Sequence, residues 1–382
     1  MNLLETKLPK VGTTIFTVMS RLAEQHQAIN LSQGFPDFQP PARLIELISH
    51  HLEAGRNQYA PMPGVPALRE AVAEKLRRLY GVHADPDAEI TITPGATEAL
   101  FCAIHAVVRA GDEVIVFDPA YDSYEPAVTL AGGRCVHVPL TERSFAIDWD
   151  RLRSVLSDRT RLVIVNSPHN PSGAVLDQDD LNELAAALRP YGCYLLSDEV
   201  YEHIVFDGAA HATVLAHPEL KERSFAVFSF GKTYHATGWK VGYAVAPGAL
   251  SEELRKIHQY VAFAAVTPLQ HALADYLRER PEHYLTLPAF YGEKRDLFIE
   301  LMRGSKFDLV PARGTYFQLA DYGRISSAPD TEFARWLTAE HGVALIPISV
   351  FYAEPPAATL VRFCFAKESA TLRAAADRLS RL

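Results

Sequence analysis

The residue whose position most suggests chemistry is Lys232, which follows the apolar run FAVFSF at residues 225–230 after a single glycine. A lysine amine can form a Schiff base with a carbonyl compound when loss of solvent or a neighbouring cation lowers its pKa. Ser229, three residues earlier, adds a hydroxyl that can bind an anion. The alternative interpretation of this short segment is an ordinary solvated lysine in a loop.

A second candidate is Asp198, which ends the apolar run CYLLSD at residues 193–198. An acid at this point can cap the N-terminus of a helix. It can also face a pyridine nitrogen, keep that nitrogen protonated and so keep the ring electron-withdrawing. Asp198 and Lys232 are about one strand–helix–strand unit apart in sequence. We therefore expect them on nearby strand ends.

Three further segments offer groups for an anion or for a ring oxygen. The turn NSPHNPSG at residues 166–173 can aim the amide of Asn170 at a phenolate oxygen, although a merely fixed turn explains its Pro and Gly residues equally well. The small-residue loop TPGATEA at residues 93–99 opens an apolar helical stretch. Its backbone N–H groups can bind a phosphate, unless the loop only caps that helix. Lys240 adds a second cation for the same anion.

Aromatic and basic side chains complete the set. Tyr121 and Tyr124 lie in DPAYDSY at residues 118–124, where their rings can stack on a cofactor, although such rings more often belong to a core. Arg362 interrupts the apolar run LVRFCF at residues 360–365. A buried arginine needs an anionic partner, and the carboxylate of a ligand would provide one.

The elements that must position these residues alternate along the middle of the chain. Short apolar runs separated by helical stretches such as residues 177–189 predict a parallel sheet with helices on both faces. In such sheets ligands bind at the carboxyl ends of the strands. At those predicted ends this sequence has Asp118, Asn166, Asp198 and Ser229.

The last third of the chain has a different pattern. Residues 251–280 are predicted to form one long helix that ends near Pro281. Beyond it, strands are expected at 315–322, 342–348 and 360–366, and helices at 331–341 and 367–381. We expect an α/β protein with a large domain at 41–280, built on a mostly parallel, seven-stranded sheet between helices. A smaller α+β domain at 281–382 is completed by an N-terminal arm at 1–40.

Composition limits the classes of protein that need to be considered. The chain has 382 residues, of which 48% are hydrophobic and 22% charged, and this excludes a disordered polypeptide. A formal charge of −9 argues against a nucleic-acid binder. We expect no membrane span, no secretory signal and no metal site. The four cysteines, which form no C-x-x-C pair, predict reduced thiols in the cytoplasm.

Taken together, the sequence resembles the class I/II, fold-type-I aminotransferases that use pyridoxal 5'-phosphate. Within that family it is most similar to the bacterial methionine aminotransferases and the kynurenine/glutamine aminotransferases. The resemblance extends over nearly the whole chain. It rests on SQGFPD (32–37), NQYAPMPGVPALREA (57–71), NSPHNPSG (166–173), SDEVYEHI (197–204) and SFGKTYHATGWKVGY (229–243).

The resemblance implies a role for each matching residue at the cofactor ring. Lys232 would form the Schiff base and carry the proton, with Asp198 facing the ring nitrogen. Asn170 and Tyr201 would bind the phenolate oxygen, and Tyr121 would stack on the ring.

The resemblance also implies a phosphate site and a carboxylate site. Residues matching the phosphate site are Gly95, Ala96, Thr97, Ser229 and Lys240, with Tyr59 reaching the phosphate of a partner subunit. Arg362 would bind the substrate carboxylate beside Gly34 and Asn166. Gly95 stands where some members have Ser, and Lys240 where many have Arg, which replaces a planar fork by a point charge.

The implied function is transamination between an amino acid and a 2-oxo acid in a homodimer with shared sites. Members that prefer dicarboxylates use an extra arginine, whereas the matching segment here, YVAFAAVTP at residues 260–268, has no cation. With Phe16 and Phe263 as candidates for the side-chain pocket, we expect methionine above all, then phenylalanine, tyrosine, leucine or glutamine. The alternatives are a C–S β-lyase, a kynurenine aminotransferase and a non-catalytic cofactor-binding domain.

Overall fold

Thirteen β-strands and fourteen α-helices make up the computed structural model, which describes residues 5–382. The first four residues of the predicted N-terminal arm lie outside the described residues. The strands are β1 Ile29–Asn30, β2 Ile90–Thr93, β3 Glu113–Asp118, β4 Arg134–Pro139, β5 Thr160–Asn166, β6 Tyr194–Asp198, β7 Ser224–Ser229, β8 Gly242–Val245, β9 Asp308–Leu309, β10 Phe317–Asp321, β11 Val343–Ala344, β12 Ile346–Pro347 and β13 Leu360–Cys364. The helices are α1 Ile15–Gln25, α2 Ala42–Glu53, α3 Pro66–Tyr80, α4 Ala96–Val107, α5 Tyr124–Leu130, α6 Trp149–Val155, α7 Gln178–Leu188, α8 Pro218–Lys221, α9 Phe230–Thr233, α10 Gly248–Val261, α11 Thr267–Glu279, α12 Glu282–Met302, α13 Asp330–His341 and α14 Ser369–Leu379.

The central sheet has seven strands in the order β2-β8-β7-β6-β5-β3-β4. Every pair is parallel except those that β8 makes with β2 and β7. The four apolar runs noted in the sequence are β3, β5, β6 and β7, and nearly all their residues are buried, as expected for strands covered on both faces. The predicted α/β class and mostly parallel, seven-stranded sheet are confirmed.

The register of these strands brings the polar residues at their ends together. Asn166, the last residue of β5, pairs with Asp198, the last residue of β6. Asp198 pairs in turn with Val227, two residues before Ser229 at the end of β7. Three neighbouring strands therefore end in an amide, a carboxylate and a hydroxyl along one edge.

A second group of strands lies in the C-terminal part of the chain. Strands β12, β13, β10 and β9 form an antiparallel sheet in that order, with Arg362 in the middle of β13. The N-terminal segment joins this part because β1 pairs with β11. The smaller α+β unit is thus built from both chain ends, as predicted. The domain limits at 40/41 and 280/281 stay a prediction; they fall just before α2 and α12.

Two expectations about individual elements were wrong. The predicted long helix at 251–280 is two helices, α10 and α11, separated by residues 262–266. Inside a helix, Pro268 would remove a backbone hydrogen bond. A new helix, α11, therefore begins here, with Pro268 in its first turn. The predicted strand at 342–348 is also divided, since β11 and β12 belong to different sheets.

The helices that the structure describes between residues 5 and 382 include none with both the length and the apolar character of a membrane span.

A buried ion pair supports the turn that follows β6. Lys75 of α3 contacts Glu202 and donates a hydrogen bond to the hydroxyl of Tyr243 at 2.7 Å. Tyr80 donates to the second carboxylate oxygen of Glu202 at 2.7 Å. Burial alone would raise the pKa of Glu202, but His203 and Lys75 hold it below its usual range. The carboxylate is therefore charged, buried and dependent on its cation.

Replacing Lys75 by methionine should lower the free energy of unfolding by about 3–5 kcal/mol, because Glu202 would keep a buried charge without its lysine partner. Urea unfolding measures this difference. The control is Lys256→Met, which breaks only exposed pairs with Glu252 and Glu253 and should change stability little. Equal losses in the two variants would contradict the prediction.

Candidate active site

One cavity of about 170 Å³ opens at the carboxyl edge of the central sheet. It lies where β5, β6 and β7 end and where α4 and α9 begin. Most of the residues selected from the sequence line it: Gly95, Ala96, Thr97, Tyr121, Asn166, Asn170, Asp198, Tyr201, Ser229, Lys232 and Lys240. The structure thus brings together residues that are up to 145 positions apart in the chain.

Lys232 projects into this cavity from the short helix α9, which starts directly after β7. Its Nζ donates hydrogen bonds to the hydroxyl of Tyr316 at 2.9 Å and to the carbonyl oxygen of Gly34 at 3.4 Å. Burial lowers the pKa of Lys232 to about 8, and Arg362 shifts it in the same direction. The amine therefore loses its proton much more easily than an exposed lysine, which rules out the solvated-loop interpretation.

Asp198 is buried at the end of β6. Its carboxylate accepts a hydrogen bond from the Tyr124 hydroxyl at 2.7 Å. After β6 the next helical segment of the described chain begins only at Val214, so Asp198 is not a helix cap. Burial raises the pKa of Asp198 to about 6. A cation placed against this carboxylate would stabilise its charged form.

Two asparagines connect the sheet edge to Arg362. The amide of Asn166 donates to the backbone carbonyl of Asp198 at 2.8 Å, and its oxygen accepts from the backbone N–H of Asn170 at 2.8 Å. The side-chain oxygen of Asn170 accepts from Arg362 at 2.7 Å. Since its oxygen is occupied, Asn170 has its NH₂ group to offer to an acceptor such as a phenolate oxygen.

Arg362 is fully buried in β13, although it carries a charge. It donates to the backbone carbonyl of Ser32 at 3.0 Å, and its guanidinium lies 3.8 Å from the centre of the Phe317 ring. Its Nε has no hydrogen-bond partner among residues 5–382. A buried donor without a partner is costly, and a ligand carboxylate would satisfy it.

The start of helix α4 forms a cradle for an anion. Gly95 precedes the helix with φ +81°, a conformation that favours glycine, and the free N–H groups of the first turn follow it. A Cβ at Gly95 would lie 3.1 Å from the Nζ of Lys240. A Cβ at Gly242 would lie 2.7 Å from the backbone nitrogen of Ala96. Two glycines therefore keep the space that lets a cation and backbone donors converge, as a phosphate requires.

The tyrosines around the cavity are neutral phenols. Burial raises the pKa of Tyr121 to about 12, and it raises the pKa of Tyr201 further. The Tyr121 ring meets the Tyr124 ring edge-on, with centroids 5.7 Å apart. Tyr201 is almost fully buried and can donate a hydrogen bond to an anionic oxygen.

The other predicted residues, Arg362 among them, do not line this cavity. Gly34 contributes its carbonyl oxygen, and Phe16 packs beside Arg362, 5.4 Å from ring centre to guanidinium. Tyr59 and Phe263 are outside the site of their own chain. Their rings contact each other edge-on at 5.5 Å, and their exposed fractions are 87% and 42%.

The sequence interpretation missed the direct partners of the two central groups. Tyr316 contacts Lys232, and Tyr124, whose ring was expected either to stack on a cofactor or to belong to the core, binds Asp198. Spacing alone marks neither contact, because both join residues that are more than 70 positions apart.

One cluster of potential metal ligands also escaped sequence analysis. Glu98 accepts hydrogen bonds from Cys102 at 3.0 Å and faces Nδ1 of His258 at 2.8 Å. His258 is distant in sequence and comes from α10, so no local spacing reveals it. The three ligand atoms lie within 4.8 Å of one another. In the described structure the cluster is a hydrogen-bonded network that joins α4 to α10.

Comparison with known proteins identifies the family of this arrangement. The model of the family "Aminotransferase class I and II" matches residues 26–379. Methionine aminotransferase of Escherichia coli (strain K12) is 57% identical over 99% of this chain and 98% of its own. Kynurenine–oxoglutarate transaminase 1 of Homo sapiens is 32% identical over 94% of this chain and 93% of its own. The solved structure of YbdL from Escherichia coli, described as having a methionine aminotransferase function, superposes with a TM-score of 0.98, 57% identity and full coverage of both chains.

Replacing Asp198 by asparagine should reduce kcat by roughly 100- to 1000-fold, as expected when a preorganised charge is lost at a site where charge develops. The fold should persist, since the amide has the same shape. Steady-state kinetics and thermal unfolding measure the two effects separately. Tyr124→Phe is the matched control because it removes only one hydrogen bond to this carboxylate, and its loss should be much smaller. Wild-type turnover in Asp198→Asn would contradict the role of the charge.

Proposed function

This chain belongs to the class I and II aminotransferases, which depend on pyridoxal 5'-phosphate, and we propose that it transfers the amino group of methionine to a 2-oxo acid. The observation that carries the proposal is the cavity that Lys232, Asp198 and Asn170 line together. Asn170 in turn accepts a hydrogen bond from the buried guanidinium of Arg362. Other apolar and aromatic amino acids are expected as slower donors.

The residues of the cavity fit the cofactor. The glycine-lined start of α4, with Ser229 and Lys240, would hold its phosphate. Asp198 would face the ring nitrogen, Asn170 and Tyr201 the phenolate oxygen, and Tyr121 the ring face. The carboxylate of Asp198, whose pKa burial raises, is suited to such a cationic partner. When bound, the cofactor supplies an aldehyde that bonds amines and a ring that withdraws electrons from the substrate Cα.

Arg362 and Lys232 would act on different groups of the substrate, its α-carboxylate and its Cα proton. Arg362, whose guanidinium has an unpaired Nε, would bind the α-carboxylate and so fix the orientation of the Cα–H bond. Lys232 Nζ would take the proton from Cα and hold it until the proton is given up later in the transfer. Its pKa of about 8 lets it exchange protons near neutral pH. A 2-oxo acid acceptor uses the same residues in reverse order, which makes the kinetics ping-pong.

The preference for an apolar donor rests on what the side-chain pocket lacks. The segment at residues 260–268 has no cation that could pair with a second carboxylate. Phe16 lies against the guanidinium of Arg362 and offers an apolar surface to a side chain held there. A thioether gains from such contacts with aromatic rings. The 57% identity to a methionine aminotransferase favours methionine, whereas the relatives that act on kynurenine support it as a second donor.

We further propose a homodimer whose sites are shared. Tyr59 and Phe263 meet on the surface, and Tyr260 and Val266 are exposed in the same part of the sequence. Exposed apolar side chains in contact are typical of interaction surfaces. The break between α10 and α11, which gives Phe263 a φ of +68°, turns its ring toward Tyr59. Both residues would serve the site of the partner subunit.

A reducing compartment, the cytoplasm, is the proposed location. All four cysteines are unbonded, and three of them, Cys102, Cys193 and Cys364, are buried. Thiols of this kind persist where glutathione and thioredoxin keep them reduced.

With one shared 2-oxo acid acceptor, kcat/KM should be at least 100-fold higher for methionine than for aspartate. An unpaired second carboxylate costs several kcal/mol, and about 1.4 kcal/mol corresponds to a factor of ten. Product formation without an acceptor should stop after one turnover, whereas a C–S lyase would continue. Lys232→Ala serves as the inactive control. A preference for aspartate would contradict the pocket, and sustained turnover without acceptor would contradict transamination.

Mixing inactive Lys232→Ala subunits with weakened Tyr59→Ala subunits should restore activity, because each hybrid dimer would contain one intact site. The control mixes Lys232→Ala with Asp198→Asn. Both of these residues serve the site of their own chain, so that hybrid has no intact site. Subunit exchange is verified by differential tagging and pull-down. Equal recovery in both mixtures, or recovery in neither, would contradict sharing through Tyr59.

A further inference from the structure

The chain adopts an unfavourable backbone conformation at the residue before Tyr316, the hydrogen-bond partner of Lys232. Thr315 has φ +63°, which a β-branched residue rarely adopts, and it is completely buried. Its N–H donates to the carbonyl of Ile204 at 2.9 Å, and its hydroxyl accepts from the N–H of Phe317 at 3.2 Å. Strained residues of this kind persist where the surroundings hold them, and they cluster at functional sites.

The consequence of this strained turn is that two consecutive side chains reach the site. Phe317 lies under the Arg362 guanidinium. Tyr316 points to Lys232, and its ring meets the Tyr201 ring edge-on at 5.1 Å. In a regular strand, neighbouring side chains would face opposite sides of the sheet. The left-handed conformation at Thr315 therefore lets Tyr316 contact the Lys232 amine while Phe317 contacts Arg362.

The hydrogen bonds of Tyr316 have a defined direction. Its hydroxyl donates its single proton to the Gly34 carbonyl at 2.6 Å. At its 2.9 Å contact with Lys232, the phenolic oxygen must therefore be the acceptor and Nζ the donor. The lone pair of a neutral Lys232 amine is consequently not used by Tyr316. Protonation of the amine would make the same hydrogen bond charge-assisted and stronger.

We propose that Tyr316 is a catalytic residue that holds the free Lys232 amine with its lone pair available and stabilises that amine once it has taken a proton. The inference rests on the proposed transamination, in which Lys232 is free while it carries the substrate proton. Among residues 5–382, Tyr316 is the side chain that hydrogen-bonds Nζ. The bond is strongest in the protonated state, so Tyr316 favours proton uptake from the substrate.

The test compares Tyr316→Phe with Tyr291→Phe. The second variant loses the hydroxyl of a buried tyrosine that packs 5.6 Å from the Tyr316 ring, but that hydroxyl binds Nδ1 of His235 and not Lys232. Phenylalanine at 316 keeps the ring packing on Tyr201. We expect kcat for methionine to fall roughly 10- to 100-fold in Tyr316→Phe with KM little changed, and to stay near wild type in Tyr291→Phe.

A second readout uses the apoprotein and does not depend on turnover. The rate at which Lys232 captures added pyridoxal phosphate is followed by absorbance as a function of pH. In Tyr316→Phe the ammonium form loses an acceptor, so the midpoint of this profile should move down by roughly one to two pH units. The charged or titratable groups near the amine are unchanged in both variants: Asp198, Tyr201, Lys240, Arg362 and Cys364. Tyr291→Phe should therefore keep the wild-type midpoint.

The inference is overturned if Tyr316→Phe has the wild-type kcat or the wild-type midpoint, or if Tyr291→Phe shows the same losses. Failure of the proposed function looks different. In that case the wild-type protein itself does not transaminate methionine, whatever the variants do in the capture assay.

Discussion

The site depends on keeping one lysine amine away from bulk water while still giving it hydrogen-bond partners. An isolated buried ammonium is costly, so Lys232 must lose its proton readily, and burial lowers its pKa to about 8. Tyr316 and the Gly34 carbonyl accept its hydrogen bonds, so the amine is not buried without hydrogen-bond partners. The same balance makes this amine able to bond a carbonyl carbon and to carry a proton.

The two parts of the fold each provide half of this environment. The parallel sheet brings the ends of β5, β6 and β7 side by side, which places Asn166, Asp198 and Ser229 along one edge. The antiparallel sheet contributes Arg362, and the turn before β10 contributes Tyr316. The N-terminal segment closes the arrangement, since its backbone carbonyls bind both Arg362 and Tyr316. The cavity is consequently a product of both chain ends and the middle.

Sequence patterns predicted the features of the fold and of the site that depend on local information. Apolar runs of strand length identify β3, β5, β6 and β7, and polar residues at their ends mark the edge where the cavity opens. The patterns did not reveal Tyr316, because its position depends on the left-handed conformation at Thr315. The helical spacing around Pro268 predicted one continuous helix, whereas the proline lies in the first turn of a separate helix, α11. The contact of Glu98 with His258 depends on the packing of two helices that are distant in sequence.

The most direct test of the central claim is to identify the lysine that bonds the cofactor. The protein is loaded with pyridoxal phosphate, the bond to the amine is reduced with borohydride, and the digested chain is analysed by mass spectrometry. The cofactor mass is expected on Lys232, with none after Lys232→Ala. Lys240, the other lysine that lines the cavity, is the alternative residue that could bond the cofactor. Labelling of Lys240, or of any other lysine, in place of Lys232 would contradict the role of Lys232.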